Sequence, residues 1–179
     1  GDFAFLQQAG AAAGFTVEEA ATVELNGSRV SSTRVREALQ AADFVEAEHL
    51  LGRPFAIAGR VVHGQKLGRQ LGTPTANVQL KRHRVPLNGV FLVSMELEGV
   101  LQPGVANIGV RPSVKADGFA HLEVHLLDFA GDLYDRRVSV VFHHKLRDEQ
   151  RFASLEALKS AIAADVVAAR AYWQAQLNS

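Results

Sequence analysis

The chain has 179 residues, of which 47% are hydrophobic, so it can form one domain with a substantial core and an additional segment. Its 19 Lys and Arg residues balance 19 Asp and Glu residues, which argues against a long electrostatic contact with nucleic acid. The chain has no cysteine, which excludes disulfides and thiolate metal sites and fits a reducing compartment such as the cytoplasm. No apolar run has membrane-spanning length.

The first residues are rich in alanine and predict a helix followed by a strand. We expect a helix over residues 3–13. Residues 16–25 can form a helix or a strand, and Val17, Val23 and Leu25 favour the strand. Asn-Gly at 26–27 is a strong turn signal.

Two short helices are predicted next. The hydroxyl-bearing residues 31–33 can cap a helix over residues 34–41, because such side chains accept hydrogen bonds from the first free N–H groups. Asp43 can cap a second helix with one apolar face, and Gly52 can end it.

After Pro54 the pattern changes to strands that are separated by turns, and then to one long helix. We predict turns at 98–99, 103–104 and 130–132, and strands over residues 55–63, 89–98, 100–101, 105–108, 119–129 and 138–142. From Ser154 the apolar residues recur at helical spacing. This order predicts a mainly β protein, either a small barrel or a sandwich, with a helix packed on it.

Residues 64–77 form the most informative segment. Glycines recur at four-residue spacing, and the segment ends in Pro-Thr-Ala-Asn. Successive backbone N–H groups of a glycine-rich loop suit phosphate oxygens, and the oxygens of Thr75 and Asn77 are ligands that Mg²⁺ accepts. The spacing is not that of a P-loop, because Gln65 follows Gly64 where a lysine is required. A bare hairpin loop is the alternative, but the stiff ending favours a nucleotide and metal site.

His121, Glu123 and His125 alternate on one face of a predicted strand, opposite an apolar face. Their spacing alone permits a solvated polar face, a zinc site, or a general base at Glu123 beside a phosphate site. The spacing favours the solvated face and does not exclude the others.

Taken together, these motifs resemble the riboflavin kinase family. The resemblance covers residues 53 to about 170 and implies a six-stranded antiparallel barrel with a C-terminal helix. It is carried by the glycine-rich segment 64–77, Pro86-x-x-Gly89-Val90-Phe91, Asn107-Ile108-Gly109-x-Arg111-Pro112, Glu123-x-His125-Leu126-Leu127-Asp128-Phe129, Gly131-Asp132-Leu133-Tyr134 and Leu146-Arg147-x-Glu149-x-x-Phe152.

The resemblance implies transfer of the ATP γ-phosphoryl group to the 5′-hydroxyl of riboflavin, which gives FMN and ADP and uses Mg²⁺. It implies that Glu123 is the general base and that Thr75 and Asn77 bind the metal. The resemblance therefore favours a general base at Glu123 over a solvated polar face. The implied flavin contacts are Asn77, Glu123, Arg147 and Glu149. The implied nucleotide contacts are Gly64, Lys66, Gly68, Arg69, Gly72, Pro74, Thr75 and Tyr134.

Residues 1–52 resemble the end of the adenylyltransferase domain of bacterial bifunctional flavin enzymes. The matching segment is Ser31-Ser32-Thr33-Arg34, which that resemblance assigns to ATP phosphates in the conversion of FMN to FAD. The upstream His-x-Gly-His motif of that domain does not occur here. We therefore expect an adenylyltransferase remnant over 1–52, a kinase domain over 53–179, and no FAD formation by this chain alone. Whether the parent protein forms oligomers is left open.

Thr73 departs from the family pattern, which has phenylalanine immediately before Pro-Thr-Ala-Asn. The change removes an apolar contact beside the expected metal ligands. The alternative functions are a flavin-binding or structural barrel without catalysis, and a barrel that binds single-stranded nucleic acid through the basic run at 81–84. The neutral charge disfavours the last of these.

Overall fold

The computed structural model describes residues 2–19, 21–64, 72–80, 85–110 and 120–177. The chain divides into two compact units, Gly1–Ser31 and Ser32–Ser179. Within the described residues, no helix is both long enough and apolar enough to cross a membrane.

The first unit contains one helix and one small hairpin. Helix α1 (Phe3–Ala13) has the predicted bounds, and the hairpin joins β1 (Glu24–Leu25) to β2 (Ser28–Arg29) through a turn at residues 26–27, as expected. Within the described residues, the strand predicted over 16–25 is wrong except for Glu24 and Leu25. A Cβ at Gly10 would lie 2.6 Å from Val17 Cγ2, so this segment packs on α1 and does not extend a sheet.

The second unit begins with two helices, α2 (Ser32–Gln40) and α3 (Phe44–Leu51). Asp43 Oδ1 accepts a hydrogen bond of 2.9 Å from Glu46 N, which confirms the predicted cap. Gly52 ends α3 with a φ of 69°, a conformation that glycine adopts without strain. Both helices belong to the same compact unit as the strands that follow. A domain boundary after residue 52 stays a prediction.

Six antiparallel strands close into a barrel in the order β3-β4-β7-β6-β5-β8. Closure pairs every strand on both sides, so the sheet has no free edge. This confirms the mainly β fold and shows that the sheet is a closed barrel and not a sandwich. The strands are β3 (Ala56–Val62), β4 (Ala76–Gln79), β5 (Gly89–Leu97), β6 (Val100–Val110), β7 (Ala120–Leu126) and β8 (Arg137–Arg147).

Alternating apolar residues fill the barrel interior. On β7 these are Leu122, Val124 and Leu126, as the sequence predicted, while the intervening residues are half-buried. Phe91 and Phe142 are also fully buried, with ring centroids 5.6 Å apart. Their large apolar area makes them a major part of the core.

Helix α4 (Leu155–Leu177) covers part of the outer barrel face. Buried residues of β5 and β6 pack there with Ala169, and Val166 and Trp173 lie against the same cluster. The long C-terminal helix is therefore confirmed, and its contact with the outer face forms one wall of the pocket described below.

Strands β5 and β6 form one long hairpin, whose turn at residues 98–99 was predicted. The second predicted turn, at Pro103-Gly104, is wrong because β6 continues through it. Pro103 lies one residue beyond the last β6–β7 pair, Gly104 with Leu126, and its carbonyl accepts from Leu127 N at 2.8 Å. The missing N–H of proline therefore interrupts no β6–β7 pair.

Candidate active site

A row of paired residues crosses five strands on the outer face of the barrel. Asn77 of β4 pairs with Glu123 of β7, and Glu123 pairs with Asn107 of β6. Asn107 pairs with Val90 of β5, which pairs with Arg147 of β8. Directly paired residues of antiparallel strands share a face of the sheet, so these side chains lie along one line. Val90 packs under α4, which identifies the face as the outer one.

A pocket of about 260 Å³ lies between this row and α4. Because the strand order is fixed, Thr75, Glu123 and His125 lie on one side of the pocket and Asn107 lies in the middle. The other side has a largely apolar wall, to which Val90, Val105, Phe152, Leu158, Ile162 and Val166 contribute. The pocket thus combines a polar, reactive end with a surface that suits a flat apolar ring.

A second pocket, of about 320 Å³, lies beside the first. Its lining includes Pro74, Thr75, Leu133 and Tyr134. Thr75 lines both pockets, so the two spaces have this residue in a shared wall. The ring of Tyr134 lies 3.9 Å from the ring of His63, centroid to centroid, which adds an aromatic surface next to the second pocket.

The Pro-Thr-Ala-Asn segment is held in place by two contacts. The carbonyl of Pro74 accepts a hydrogen bond of 2.9 Å from Nδ1 of His125, which assigns the proton to that nitrogen. The amide of Asn77 lies against the α-carbon of Gly64, where any Cβ would collide with it. Gly64 therefore makes room for a predicted metal ligand, in addition to its expected role at the phosphates.

The oxygen ligands available at this place fit a magnesium ion. The residues that the structure describes contain no group of three or more His, Cys, Asp or Glu that could hold a metal. Thr75 and Asn77 instead offer neutral oxygens: Thr75 lines both pockets, and Asn77 pairs with Glu123, which lines the first. Mg²⁺ is commonly bound by one or two protein oxygens together with phosphate oxygens and water. These residues fit that pattern.

The predicted common face of His121, Glu123 and His125 is confirmed, and its members have different surroundings. Glu123 and His125 line the first pocket. His121 Nε2 lies 3.9 Å from Glu149 Oε1. The carboxylate of Glu149 lies against Gly109, where a Cβ would collide with it, so glycine at this position allows Glu149 to reach the pocket wall.

Arg147 lines the first pocket, but its guanidinium is engaged by the protein, and its predicted contact with the flavin stays a prediction. Nε and Nη2 of Arg147 donate to Oδ1 and Oδ2 of Asp165 at 2.9 and 2.8 Å. Asp165 is only 8% exposed, and the Phe152 ring lies 5.6 Å from Arg147 Cζ. Arg147 therefore fixes α4 to β8, and it shapes the pocket through that contact.

Several predicted site residues lie elsewhere or outside the described part of the chain. Lys66, Gly68 and Arg69 lie outside the described residues. Gly72 is described, with a φ of 78° that favours glycine. Tyr134 lines the second pocket and not the first, and its contact with the nucleotide stays a prediction.

The residues expected to serve adenylyl transfer lie at the boundary between the two units. Ser31 ends the first unit, and Ser32, Thr33 and Arg34 form the first turn of α2. Arg34 Nη2 lies 2.8 Å from Glu46 Oε1 of α3. Their role at ATP phosphates stays a prediction.

The sequence did not single out Asn107 and Asp165 as site residues. Asn107 was visible only as part of an Asn-Ile-Gly motif, and its place beside Glu123 depends on the pairing of β6 with β7. Asp165 did carry a signal, because it lies seven residues after Leu158 on the apolar stripe of α4. An acidic residue on such a stripe predicts a buried partner.

The sequence model of the family described as "Flavokinase: Riboflavin kinase" matches residues 51–173. The chain belongs to the riboflavin kinase family. A curated relative from Pseudomonas fluorescens is 77% identical over 171 residues, which are 96% of this chain and 55% of the relative. A relative from Escherichia coli (strain K12) is 52% identical over 176 residues, which are 97% of this chain and 55% of the relative. Both are named bifunctional riboflavin kinase/FMN adenylyltransferase. This chain thus spans about half the length of these relatives.

A solved structure from Streptococcus pneumoniae, titled a macrolide-efflux protein, shares the fold. It is 34% identical and superposes with a TM-score of 0.73. The match covers 83% of this chain and 49% of that one. The six-stranded barrel with its C-terminal helix is therefore an architecture that an independent structure also contains.

Proposed function

We propose that this chain transfers the γ-phosphoryl group of ATP to the 5′-hydroxyl of riboflavin, giving FMN and ADP. The observation that carries the proposal is the position of Thr75 in the wall of both pockets. A transfer between two substrates requires that their reacting ends meet while the rest of each molecule is held apart. Family membership supports this assignment, together with two pockets that share Thr75 in their walls, the first of which is also lined by Glu123.

Riboflavin would occupy the pocket between the barrel and α4. Its isoalloxazine ring suits the apolar side, where Phe152, Ile162 and Val166 contribute to the wall. The ribityl chain would then extend along the row of paired residues and bring its 5′-hydroxyl to Glu123. Arg147 would act on the flavin indirectly, because its guanidinium already binds Asp165.

ATP would occupy the second pocket and present its γ-phosphate at Thr75. The ring of Tyr134 and the apolar side chains of Leu133 and Leu126 suit an adenine base. The glycine-rich segment from Gly64 to Gly72 would supply backbone N–H groups and the cations of Lys66 and Arg69 to the phosphates. Pro74 would stiffen the exit of this segment.

Glu123 would accept the proton of the attacking 5′-hydroxyl while the oxygen bonds to the γ-phosphorus and the bond to ADP breaks. Phosphoryl transfer depends mainly on positioning and on neutralising charge, so one oriented carboxylate is sufficient as a base. Thr75 and Asn77 would hold Mg²⁺, which neutralises phosphate charge when it is bound. The pairing of Asn77 with Glu123 keeps the metal ligand and the base together.

We further propose that the complete protein acts in the cytoplasm and joins FMN formation to FAD formation. The names of the relatives from Pseudomonas fluorescens and Escherichia coli support this, since they combine both activities. This chain spans about half of such proteins, so adenylyl transfer is assigned to the longer protein and not to this chain.

The test is the formation of FMN from riboflavin and Mg-ATP, separated by chromatography, with Glu123→Gln compared with wild type. Loss of a general base lowers kcat by about 10²–10⁴-fold. Glu96→Gln is the matched control, because Glu96 is an exposed residue of β5 outside both pockets. Riboflavin binding without any turnover by the wild-type chain would instead favour a flavin-binding barrel that does not catalyse. Equal rates for wild type and Glu123→Gln would remove Glu123 from its role.

A further inference from the structure

Asn107 lies at the centre of the row of paired residues, between the reactive end of the pocket and its apolar wall. It pairs with Glu123 of β7 on one side and with Val90 of β5 on the other, and all three line the pocket. A molecule that extends from the apolar wall to Glu123 must therefore pass over Asn107.

The side chain of Asn107 has an unmet hydrogen-bonding capacity. Its Oδ1 is buried and has no hydrogen-bond partner among the residues that the structure describes. Buried polar atoms are nearly always hydrogen-bonded, and exceptions require an explanation. A half-turn of the terminal amide exchanges its oxygen with its nitrogen, so the pocket can be offered either an acceptor or a donor.

The chemistry of this position differs from that of its neighbours. On one side lies the carboxyl group of Glu123. On the other side Val90 is apolar, and the charge of Arg147 is balanced by Asp165. An uncharged amide both donates and accepts hydrogen bonds, and so does a hydroxyl group. The position therefore suits an uncharged hydroxyl better than a phosphate or a carboxylate.

This inference rests on the proposed function: we propose that Asn107 binds one secondary hydroxyl group of the ribityl chain of riboflavin. The ribityl chain carries hydroxyls at its 2′, 3′ and 4′ carbons between the ring and the reacting 5′-hydroxyl. Holding one of them at Asn107 fixes how far the 5′-hydroxyl extends toward Glu123. Asn107 is thus a binding residue that recognises the hydroxylated chain and not the ring.

The test compares riboflavin with its 2′-, 3′- and 4′-deoxy analogues, all of which keep the reacting 5′-hydroxyl. We expect Asn107→Leu to lower kcat/KM for riboflavin about tenfold. This is the usual effect of losing one uncharged hydrogen bond and leaving the ligand's hydroxyl group without a partner. In wild type, we expect kcat/KM for one of the three analogues to be about tenfold lower than kcat/KM for riboflavin. In Asn107→Leu that same analogue and riboflavin react at rates within about twofold of each other, because the bond is already absent.

Two further variants keep the result interpretable. Asn88→Leu makes the same change at an exposed position outside the flavin pocket and should retain the wild-type pattern for all four substrates. Asn107→Ala removes the amide without adding bulk, and it replaces Asn107→Leu if thermal unfolding shows that the latter does not fold.

Two results would overturn the proposal. One is an unchanged kcat/KM for riboflavin in both Asn107 variants, and the other is an equal loss for riboflavin and every analogue, which would indicate a change of pocket shape alone. If the wild-type chain does not phosphorylate riboflavin, the proposed function fails by itself. The same four flavins are then compared by fluorescence quenching on binding. If every analogue loses the same affinity in the Asn107 variants as in wild type, the role of Asn107 is again overturned.

Discussion

Asn77 and Glu123 lie directly opposite each other on the paired strands β4 and β7. The Cβ atoms of such pairs are about 5 Å apart, so a predicted metal ligand and a predicted base are direct neighbours on the barrel surface. Closure of the barrel fixes this distance, because β4 and β7 are each paired on both sides. The spacing of base and metal ligand is therefore set by rigid strands and not by a loop.

The hydroxyl of Thr75 should be required for productive metal binding, and that of Thr73 should not. Thr75→Val removes an oxygen from a residue that lines both pockets, whereas Thr73→Val makes the same change two residues earlier in the wall of the first pocket alone. We expect Thr75→Val to need a several-fold higher free Mg²⁺ concentration for half-maximal rate, since Mg²⁺ depends on few protein ligands.

The measurement is the initial rate of FMN formation against free Mg²⁺ at saturating ATP and riboflavin. Thr73→Val should keep the wild-type curve. If both variants shift the curve equally, the effect lies in the segment as a whole, and Thr75 is not a ligand.

His125 should act on the nucleotide side by holding the Pro74 carbonyl. His125→Ala removes the 2.9 Å hydrogen bond to that carbonyl, which frees the segment that carries Thr75. We expect KM for ATP to rise by about tenfold with a smaller change in KM for riboflavin, the effect of losing one oriented hydrogen bond. His125→Asn keeps a side-chain donor and should recover part of the loss.

The control is His121→Ala, on the same face of β7 but outside both pockets. Steady-state kinetics with each substrate varied in turn distinguishes the outcomes. A rise of KM for both substrates to the same degree, or no recovery in His125→Asn, would contradict a positioning role for this hydrogen bond.

Strands and helices with a strong local pattern could be predicted from the sequence. The alternation of Leu122, Val124 and Leu126 and the helical period after Ser154 each reflect a face that must be buried. The cap at Asp43 was also local, because it depends on one side chain and one nearby N–H.

Strand β4 was not predicted, and two further predictions, the turn at 103–104 and the strand over 16–25, are wrong because the surrounding structure overrides a local signal. Pro103 and Gly104 form a turn signal, yet β6 continues through them. Pro103 lies one residue beyond the last β6–β7 pair, so its missing N–H interrupts no pairing with β7. Val17 has a strand-forming side chain, but it packs on α1 at Gly10. Neither outcome could be derived without knowing which elements are neighbours in space.

The candidate site was predicted where it follows contiguous motifs and was missed where it depends on distant pairing. Thr75 and Glu123 were found through motifs that resemble a family. Asn107 and Asp165 were not found as site residues, because one depends on the β6–β7 register and the other on the contact of α4 with Arg147 of β8.

The ion pair between Arg147 and Asp165 should stabilise the attachment of α4 and should be sensitive to the loss of either partner. Asp165 is buried, so Asp165→Asn leaves the guanidinium without its charge partner in a half-buried place. We expect the free energy of unfolding to fall by about 3 kcal/mol. A double variant, Arg147→Met with Asp165→Leu, removes both charges and should recover most of that loss.

Urea unfolding followed by the fluorescence of Trp173, the single tryptophan of the chain, measures these differences. Asp128→Asn is the control, because it breaks the exposed pair with Arg170 and should change the free energy of unfolding much less. Additive losses in the double variant would show that the two residues do not act as a pair.

His143 should make the protein less stable in mild acid. Burial lowers the pKa of His143 below its ordinary value of 6.5, an effect that the charge of Glu48 partly opposes. The Ser94 hydroxyl lies 2.8 Å from its Nε2, and the ring of Trp173 packs against it at 4.9 Å between centroids. Because the unfolded chain takes up the proton at a higher pH than the folded one, the free energy of unfolding falls as pH decreases below about 6.5.

His143→Gln removes this titration, so its free energy of unfolding should vary less with pH between about 7.5 and 5 than that of wild type. Urea unfolding at a series of pH values gives both curves. His144→Gln, at the exposed neighbouring position, should keep the wild-type slope. Asp128 does not titrate in this window, because its pKa is lowered from 3.8 chiefly by its hydrogen bond with Arg170. A slope that is the same in wild type and His143→Gln would show that His143 is protonated equally in the folded and unfolded chains.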